Sequence, residues 1–490
     1  MAAIGYAFLK SSLKLTSFDV ARPARVSPVT RVTHTDDALL VPSHVAPDND
    51  TPIAHAIFAL KHEGVCLQTL MQALRHVSGP DMIDAVKTAP SGSYIRLLGF
   101  LWEKANQRHL DPLPDISGPT IKLFDERRYI TTQGIRDARW RVNFNGIGTL
   151  DYCATVERTP VIHALLAEDT LTRANQFMAE QGTDFMDRAL SWAFLHETES
   201  SFAIEKETAT RNKSEVFANL LAQADQPRLM DEAYLVSLQN AAISNPLDKA
   251  VGYRHQQNWL RGPARGALGI TYLPPAPTLT ASLMSELNAL INGKSQGLPP
   301  LVTAAVASFG FVFLHPFMDG NGRLSRFLFH YVLAQSGRLN KGLLLPVSVA
   351  MKRHERDYLT ALQAYSAPAR ACWDVTWIGD EDYDFKFKAD DTIYRYWNGT
   401  TAVAFCLQMA KEALEQDLKE ETQFLMQFDR VYKTVDAAED IRGNDLTILV
   451  RSALQNEGKI STNRRKQFQA TVTETAFDLI EAACREERSS

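Results

Sequence analysis

Between Leu301 and Leu314 the chain is mostly apolar, with Val302, Ala305, Val306, Phe309, Val312 and Phe313. Such a run reads as a buried helix. It meets His315-Pro316, and the residue before a proline is pushed out of the right-handed helical region, so His315 sits at a helix end. Asp319-Gly320-Asn321-Gly322 follows. Gly and Asn tolerate positive φ, which makes this a tight turn. Leu324, Phe327, Leu328, Tyr331 and Val332 then recur at helical spacing and face a core. Helix, glycine-rich turn and helix are therefore fixed in that order, with polar residues confined to the turn and the start of the second helix.

That confinement has chemical content. A glycine-rich turn feeding a helix N-terminus presents free backbone N–H groups and a positive dipole end to an anion. Arg323 and Arg326 are three apart and lie close together there. Their planar, permanently charged forks suit phosphate. Asp319 is placed to hold Mg²⁺, which commonly takes one protein carboxylate plus phosphate oxygens. The amide of Asn321 can bond a phosphate oxygen. Only His315 has an ordinary pKa near neutrality, so it is the candidate general base. Taken singly, each feature suits an ordinary surface turn or a solvated helix face; the combination is what points to a site for a nucleoside triphosphate.

The stretch His315-Pro316-Phe317-Met318-Asp319-Gly320-Asn321-Gly322-Arg323-Leu324-Ser325-Arg326 resembles the Fic family motif, His-Pro-Phe-x-Asp-Gly-Asn-Gly-Arg-x-x-Arg, at every fixed position. The resemblance implies a protein adenylyltransferase that moves AMP from ATP to a target hydroxyl and releases pyrophosphate. It implies that His315 accepts the hydroxyl proton and that Asp319 binds Mg²⁺. Gly320, Asn321 and Gly322 would form the anion loop. Arg323 would hold phosphates, Arg326 the γ-phosphate, and Phe317 would anchor the loop in the core.

The flanks extend the resemblance over roughly residues 165 to 380. Tyr253 to Gly262, followed by Ile270 to Pro275, looks like the family's hairpin flap, which takes up a target segment as an added strand. The helix Thr280–Ile291 and the segment Cys372 to Trp377 look like further parts of its core. Ser201-Phe202-Ala203-Ile204-Glu205-Lys206 resembles the family's inhibitory motif, with Ser201 and Glu205 on one helix face. The resemblance implies that Glu205 pairs with Arg326 and displaces the γ-phosphate. Lys206 departs from the family, which has Gly or Asn there.

The 490 residues are 45% hydrophobic and 22% charged, with a net charge of −5. That is ordinary globular composition, long enough for several cores. It supplies no overall basic field for nucleic acid or membranes. No apolar run approaches the roughly 18 residues of a membrane span. Five scattered cysteines without metal-ligand spacing read as reduced thiols, which suggests the cytoplasm.

The expected fold is mainly α: a Fic-type helical core with a small hairpin flap, plus helical N- and C-terminal regions. Residues 1–115 form an N-terminal helical region, ending in the proline-rich linker Pro112 to Pro119. Apolar residues at helical spacing over Ile57–His76, before the break Ser78-Gly79-Pro80, suit a packed helical pair or a helix-turn-helix. Residues 116–165 form a small basic, β-containing segment. It carries Arg127, Arg128, Arg136, Arg139 and Arg141 beside Tyr129 and Trp140. Basic residues interleaved with aromatics can bind nucleic acid, but the first choice is a short sheet with an exposed basic face. Residues 166–380 hold the Fic domain, with the inhibitory helix near 195–210. Residues 381–490 form a helical region with a basic turn at Lys459–Lys466, and Leu446–Ile480 suits a winged helix.

The leading expectation is thus a Mg²⁺-dependent adenylyltransferase using ATP on a protein target, held down in cis by Glu205 and Ser201, with homo-oligomerisation possible and no membrane partner. The same site could instead remove AMP, or use another nucleotide or a phosphocholine-type donor. A different class is a DNA-binding regulator that uses the core as a nucleotide sensor.

Overall fold

The structure is a computed structural model describing residues 2–180, 183–208, 210–243, 245–293, 297–379 and 382–489. It is mainly helical, with small sheets of two or three strands. Three main hydrophobic clusters organise it. The largest draws on residues from Ile130 to Leu418, a second on Tyr6 to Phe144 with Cys153 and Tyr396, and a third on Val431 to Cys484.

The centre of the largest cluster is the helix Pro300–Leu314, called here the central helix. Pro300 lies in its first turn, where a missing N–H costs nothing. Thirteen of its 15 residues are buried, so no face of it meets water, as expected of a core helix apolar all round. Gly310 is small for a reason: a Cβ there would lie 2.6 Å from the Tyr152 hydroxyl oxygen. The motif helix Asn321–Gln335 packs along the central helix, and so does Thr400–Glu412. Leu324, Phe327, Leu328, Tyr331 and Val332 are all buried, as their spacing requires.

Two hairpins stand beside the motif. Leu260–Arg261 pairs antiparallel with Ile270–Tyr272 at the position of the expected flap. Trp373–Gly379 pairs antiparallel with Asp382–Phe387. Ile270 and Leu273 from the first share a small cluster with Trp373 and Tyr383 from the second, and the Trp259 ring meets that of Phe385 at a tilt (5.2 Å between centroids), so the second hairpin braces the first. The domain boundary drawn at 380/381 falls on residues outside those described.

The N-terminal region contains the helices Pro52–His62, Leu67–Arg75, Gly79–Thr88 and Ser93–Asn106. Ser78 caps the third through a bond from the Asp81 N–H, with Pro80 in the first turn, so Ser78-Gly79-Pro80 is a break that also starts a helix. The run Ile57–His76 is two helices, divided at Glu63–Cys66. A helix that reads a DNA groove needs an exposed face, but Leu67 through Leu74 are all buried. Gln68 and Gln72 bond inward, to the Tyr396 carbonyl and the Thr392 hydroxyl.

Pro112–Pro119 lacks regular secondary structure, yet Leu113 and Ile116 pack on the N-terminal cluster, which continues into Trp140, Val142 and Phe144. The helices before residue 115 and the strands after it therefore share one core. The basic segment is largely neutralised within the fold. Arg127 pairs with Asp125, Arg128 with Glu157, and Arg139 with Glu103 and Asp111. Tyr129 and Trp140 are buried, so neither offers a ring for a base to stack on.

Thr400–Glu412 runs through a π-helical turn, Ala413–Leu418, into Lys419–Asp436, which joins the largest cluster to the C-terminal one. The winged helix expected over Leu446–Ile480 is not formed. This stretch lies in the helices Gly443–Gln455, Thr462–Phe468 and Glu474–Ser489, and no described residue after Asn398 is in a strand. Within the basic turn Arg465 pairs with Glu474, Asp478 and Glu481. The amphipathic pattern there records helices packing on one another, a signal that a short helical bundle and a winged helix share.

A Cβ on Gly99 would lie 2.2 Å from the Trp140 ring. Gly99→Ala is therefore expected to destabilise the shared N-terminal core by about 1–3 kcal/mol. Thermal or denaturant unfolding checks this, and an unchanged midpoint would contradict a single core spanning residue 115.

Candidate active site

The central helix ends on His315, whose φ of 49° is left-handed and whose N–H still bonds the Phe311 carbonyl at 2.9 Å. Histidine is among the few non-glycine residues enriched there. Its Nδ1 lies 3.1 Å from the Val312 carbonyl oxygen. A carbonyl only accepts, so Nδ1 carries the proton and Nε2 keeps its lone pair. Burial pushes the imidazole pKa from 6.5 down to about 4; the Val312 bond opposes this, the Arg254 charge adds to it, and Glu205 and Asp319 oppose it. The ring is thus neutral at pH 7, the state a general base needs.

The turn is held by its own residues. Phe317 is buried between the rings of Tyr253 and Phe311, with centroids at 5.7 and 6.4 Å. Asn321 accepts from the Phe317 N–H at 3.0 Å and donates to the Phe317 carbonyl at 2.8 Å. Its amide clamps the loop, so what Asn321 can offer an anion is its backbone N–H. Gly320, at φ 87°, begins the motif helix, and its N–H bonds Asp319 Oδ1 at 2.6 Å.

Both arginines are buried at about 1% exposure, which makes their partners decisive. Arg326 donates from Nε to Ser201 Oγ at 2.8 Å and from Nη2 to the Ser201 carbonyl at 2.7 Å and to Glu205 Oε1 at 2.8 Å. Arg323 donates to Glu207 Oε2 at 2.9 Å, to the Ala242 carbonyl at 2.8 Å, and to both Asp319 oxygens at 3.2 Å. Glu205 also presses on the motif helix itself. A Cβ on Gly322 would lie 1.9 Å from Glu205 Oε1, so only glycine leaves room for a carboxylate against this first turn. An anion from the chain itself therefore sits where the helix N-terminus attracts one.

Glu205 follows the helix Thr183–Ile204, called here the upstream helix. Residues 205–208 leave the helix in a turn, and Ala209 lies outside the described residues. The Lys206 N–H bonds the Ala203 carbonyl at 3.0 Å and the Glu207 N–H the Phe202 carbonyl at 3.1 Å. This is the Schellman pattern, and it requires a left-handed residue, here Lys206 at φ 60°. The structure thus explains why a small or permissive residue suits this position: backbone conformation sets the demand. A lysine there carries strain of about 1–2 kcal/mol.

The upstream helix is fastened further back. Glu197, 1% exposed, bonds His330 Nε2 at 2.6 Å, the Ser348 N–H at 2.7 Å and the Ser348 hydroxyl at 2.5 Å. Arg254 does similar work under the flap. Its Nε donates to the His315 carbonyl at 2.8 Å, its N–H to the Pro316 carbonyl at 2.8 Å, and Nη2 to Pro275 and Thr280.

A family model described as Fic/DOC family matches residues 229–333, which contain the flap, the central helix and the complete motif. The chain carries a Fic domain. Its relatives include a protein adenylyltransferase Fic of Aedes aegypti, 34% identical over 93 residues that cover 19% of this chain and 17% of that protein. Another, of Drosophila mojavensis, is 40% identical over 67 residues, covering 14% of this chain and 13% of that one. The chain thus spans less than a fifth of the length of the curated relatives it matches. Among solved structures, a Fic family protein from Desulfovibrio desulfuricans G20 aligns with a TM-score of 0.40 at 18% identity, covering 63% of this chain and 90% of that one.

The motif residues of this domain and Glu205, which precedes the matched residues, converge on one anion site. Among the described residues no group of three or more His, Cys, Asp or Glu side chains could hold a metal ion by itself. Asp319, 39% exposed and bridged by Arg323, is a single carboxylate, a donor type that fits Mg²⁺ shared with phosphate oxygens. Sequence reasoning missed Glu197, Glu207 and the role of Arg254. Glu197, Ser201 and Glu205 recur every four residues on one helix face, a signal that could have found the first. Nothing in the sequence marks Arg254 as buried.

Two outcomes follow for this site. His315 should titrate near pH 4 by NMR, and a midpoint near 6.5 would contradict its burial. Because the folded pKa is depressed, the unfolded chain binds more protons between about pH 4 and 6.5, so this residue's contribution to stability is lost as pH falls through that window. Lys206→Gly should relieve about 1 kcal/mol of strain and slow hydrogen exchange of the Glu207 amide roughly fivefold; unchanged exchange would count against the left-handed turn.

Proposed function

We propose that this protein is a Mg²⁺-dependent protein adenylyltransferase whose resting state is closed by Glu205. The observation that carries the reading is a neutral, buried imidazole with an open Nε2 beside two buried arginines at a helix N-terminus, each held by an in-chain carboxylate. The named activity of its Fic relatives supports the same reading.

In the active state Glu205 leaves Arg326, and the triphosphate of ATP takes its place. Arg323, Arg326 and the backbone N–H groups of Gly322 and its neighbours hold the phosphates. His315 Nε2 accepts the proton of a target hydroxyl as its oxygen bonds the α-phosphorus, and the bond to pyrophosphate breaks. Mg²⁺, held by Asp319, would neutralise phosphate charge. The flap edge offers backbone groups for a target strand. Catalysis of this type rests on positioning and charge.

A second reading has its own observation. Glu205 bonds Arg326 through Oε1, and Oε2 has no protein partner among the described residues. A carboxylate oxygen so placed could orient a water for removal of AMP from a modified target. AMP release from a pre-modified protein that is lost in Glu205→Gln would favour it.

The primary test uses α-labelled ATP and Mg²⁺ with wild type, Glu205→Gly and Glu205→Gly/His315→Ala. Label on the protein or on lysate proteins is expected to rise at least about tenfold in Glu205→Gly. It should fall by roughly 10²–10⁴ when His315 is removed. Label that survives loss of His315 would overturn the general-base role.

A further inference from the structure

We propose that Glu207 is a second inhibitory carboxylate, closing Arg323 as Glu205 closes Arg326. The inference rests on the reading of Glu205 above and extends it to the other motif arginine.

Three observations carry it. Arg323 is about 1% exposed, and Glu207 Oε2 meets its Nη1 at 2.9 Å. A fully buried guanidinium in contact with a carboxylate is a strong pairing, so a phosphate must displace it to use that nitrogen. Second, the two carboxylates are presented by one turn. Glu205, Lys206 and Glu207 occupy successive positions of the Schellman pattern, and the left-handed Lys206 aims its two neighbours at the two arginines. Third, the placement opposes local preference. Carboxylates at a helix C-terminus meet the negative end of its dipole and are disfavoured there, typically by 0.3–1 kcal/mol. Two of them at the end of the upstream helix are explained by the arginines across from them, since the helix itself gains nothing.

The arrangement has a consequence for opening. Because one strained turn holds both pairs, they release together or weaken each other. Arg323 also bridges to Asp319, so Glu207 helps lock the carboxylate that Mg²⁺ would take. Removing Glu205 alone therefore leaves half the phosphate site occupied.

The test measures ATP binding by calorimetry in EDTA, on a His315→Ala background so that no turnover occurs. The series is Glu205→Gly, Glu207→Gln and the pair together, with Glu199→Gln, an exposed carboxylate of the same helix, as charge control. Glu207→Gln is expected to tighten ATP several-fold in the presence of Glu205 and again in its absence, with Glu199→Gln within twofold of the parent. Equal tightening by Glu199→Gln would show a general charge effect and overturn the inference. So would a Glu207→Gln effect under twofold in both backgrounds. If Glu205→Gly tightens ATP and Glu207→Gln adds nothing, only this inference falls. If Glu207→Gln tightens it and Glu205→Gly does not, cis inhibition by Glu205 falls and Glu207 stands.

Discussion

A guanidinium cannot shed its charge, and Arg326 is buried at about 1% exposure. Much of the local structure follows from the need to give it an anion. Three groups of the upstream helix and its terminal turn meet that need: the Ser201 hydroxyl, the Ser201 carbonyl and Glu205. A buried charge left without a partner costs several kcal/mol, so Arg326 keeps an anion beside it, and in the proposed function a phosphate would replace Glu205 there.

The upstream helix is held from two sides. Toward the motif helix, Glu197 ties it to His330 and Ser348, and Phe202 packs on Phe217, with ring centroids at 5.9 Å. On the other side, Trp192 meets Phe424 at 6.5 Å and lies under the Arg451 guanidinium at 4.4 Å. Those two residues belong to the C-terminal helices, so the C-terminal region bears on the helix that carries Glu205. At the end of the helix a left-handed lysine, flanked by two carboxylates, is held by contacts from outside the helix. Strain of this kind persists only where the surroundings over-determine it.

Most of the motif loop was legible in the sequence because its constraints are local. Pro316 and the Gly-Asn-Gly turn punctuate the chain, and the apolar spacing on each side fixes two helices. Ser201 and Glu205 were legible from their four-residue spacing together with the family resemblance. Asn321 was only half legible: its type suits an anion, but its side chain is used to clamp Phe317. The C-terminal region is helical as expected, and only the winged-helix option drops out, for a related reason. Amphipathic runs near 446–480 give helices, but they do not say whether strands accompany them. The arginine-rich segment shows the same limit, since charge in a sequence carries no record of the carboxylates that will pair with it.

By itself the sequence determined the order helix, turn, helix, the chemical types at the anion site and the mainly helical class, all set by interactions over a few residues. Tertiary structure decided which groups face each other. It put Glu207, 116 residues away in the chain, on Arg323, and Arg254 under the carbonyl of His315. It also set the protonation of His315, because depressing an imidazole pKa to about 4 takes burial by distant parts of the chain. Charge pairing and desolvation act through space, and only folding brings those partners within reach.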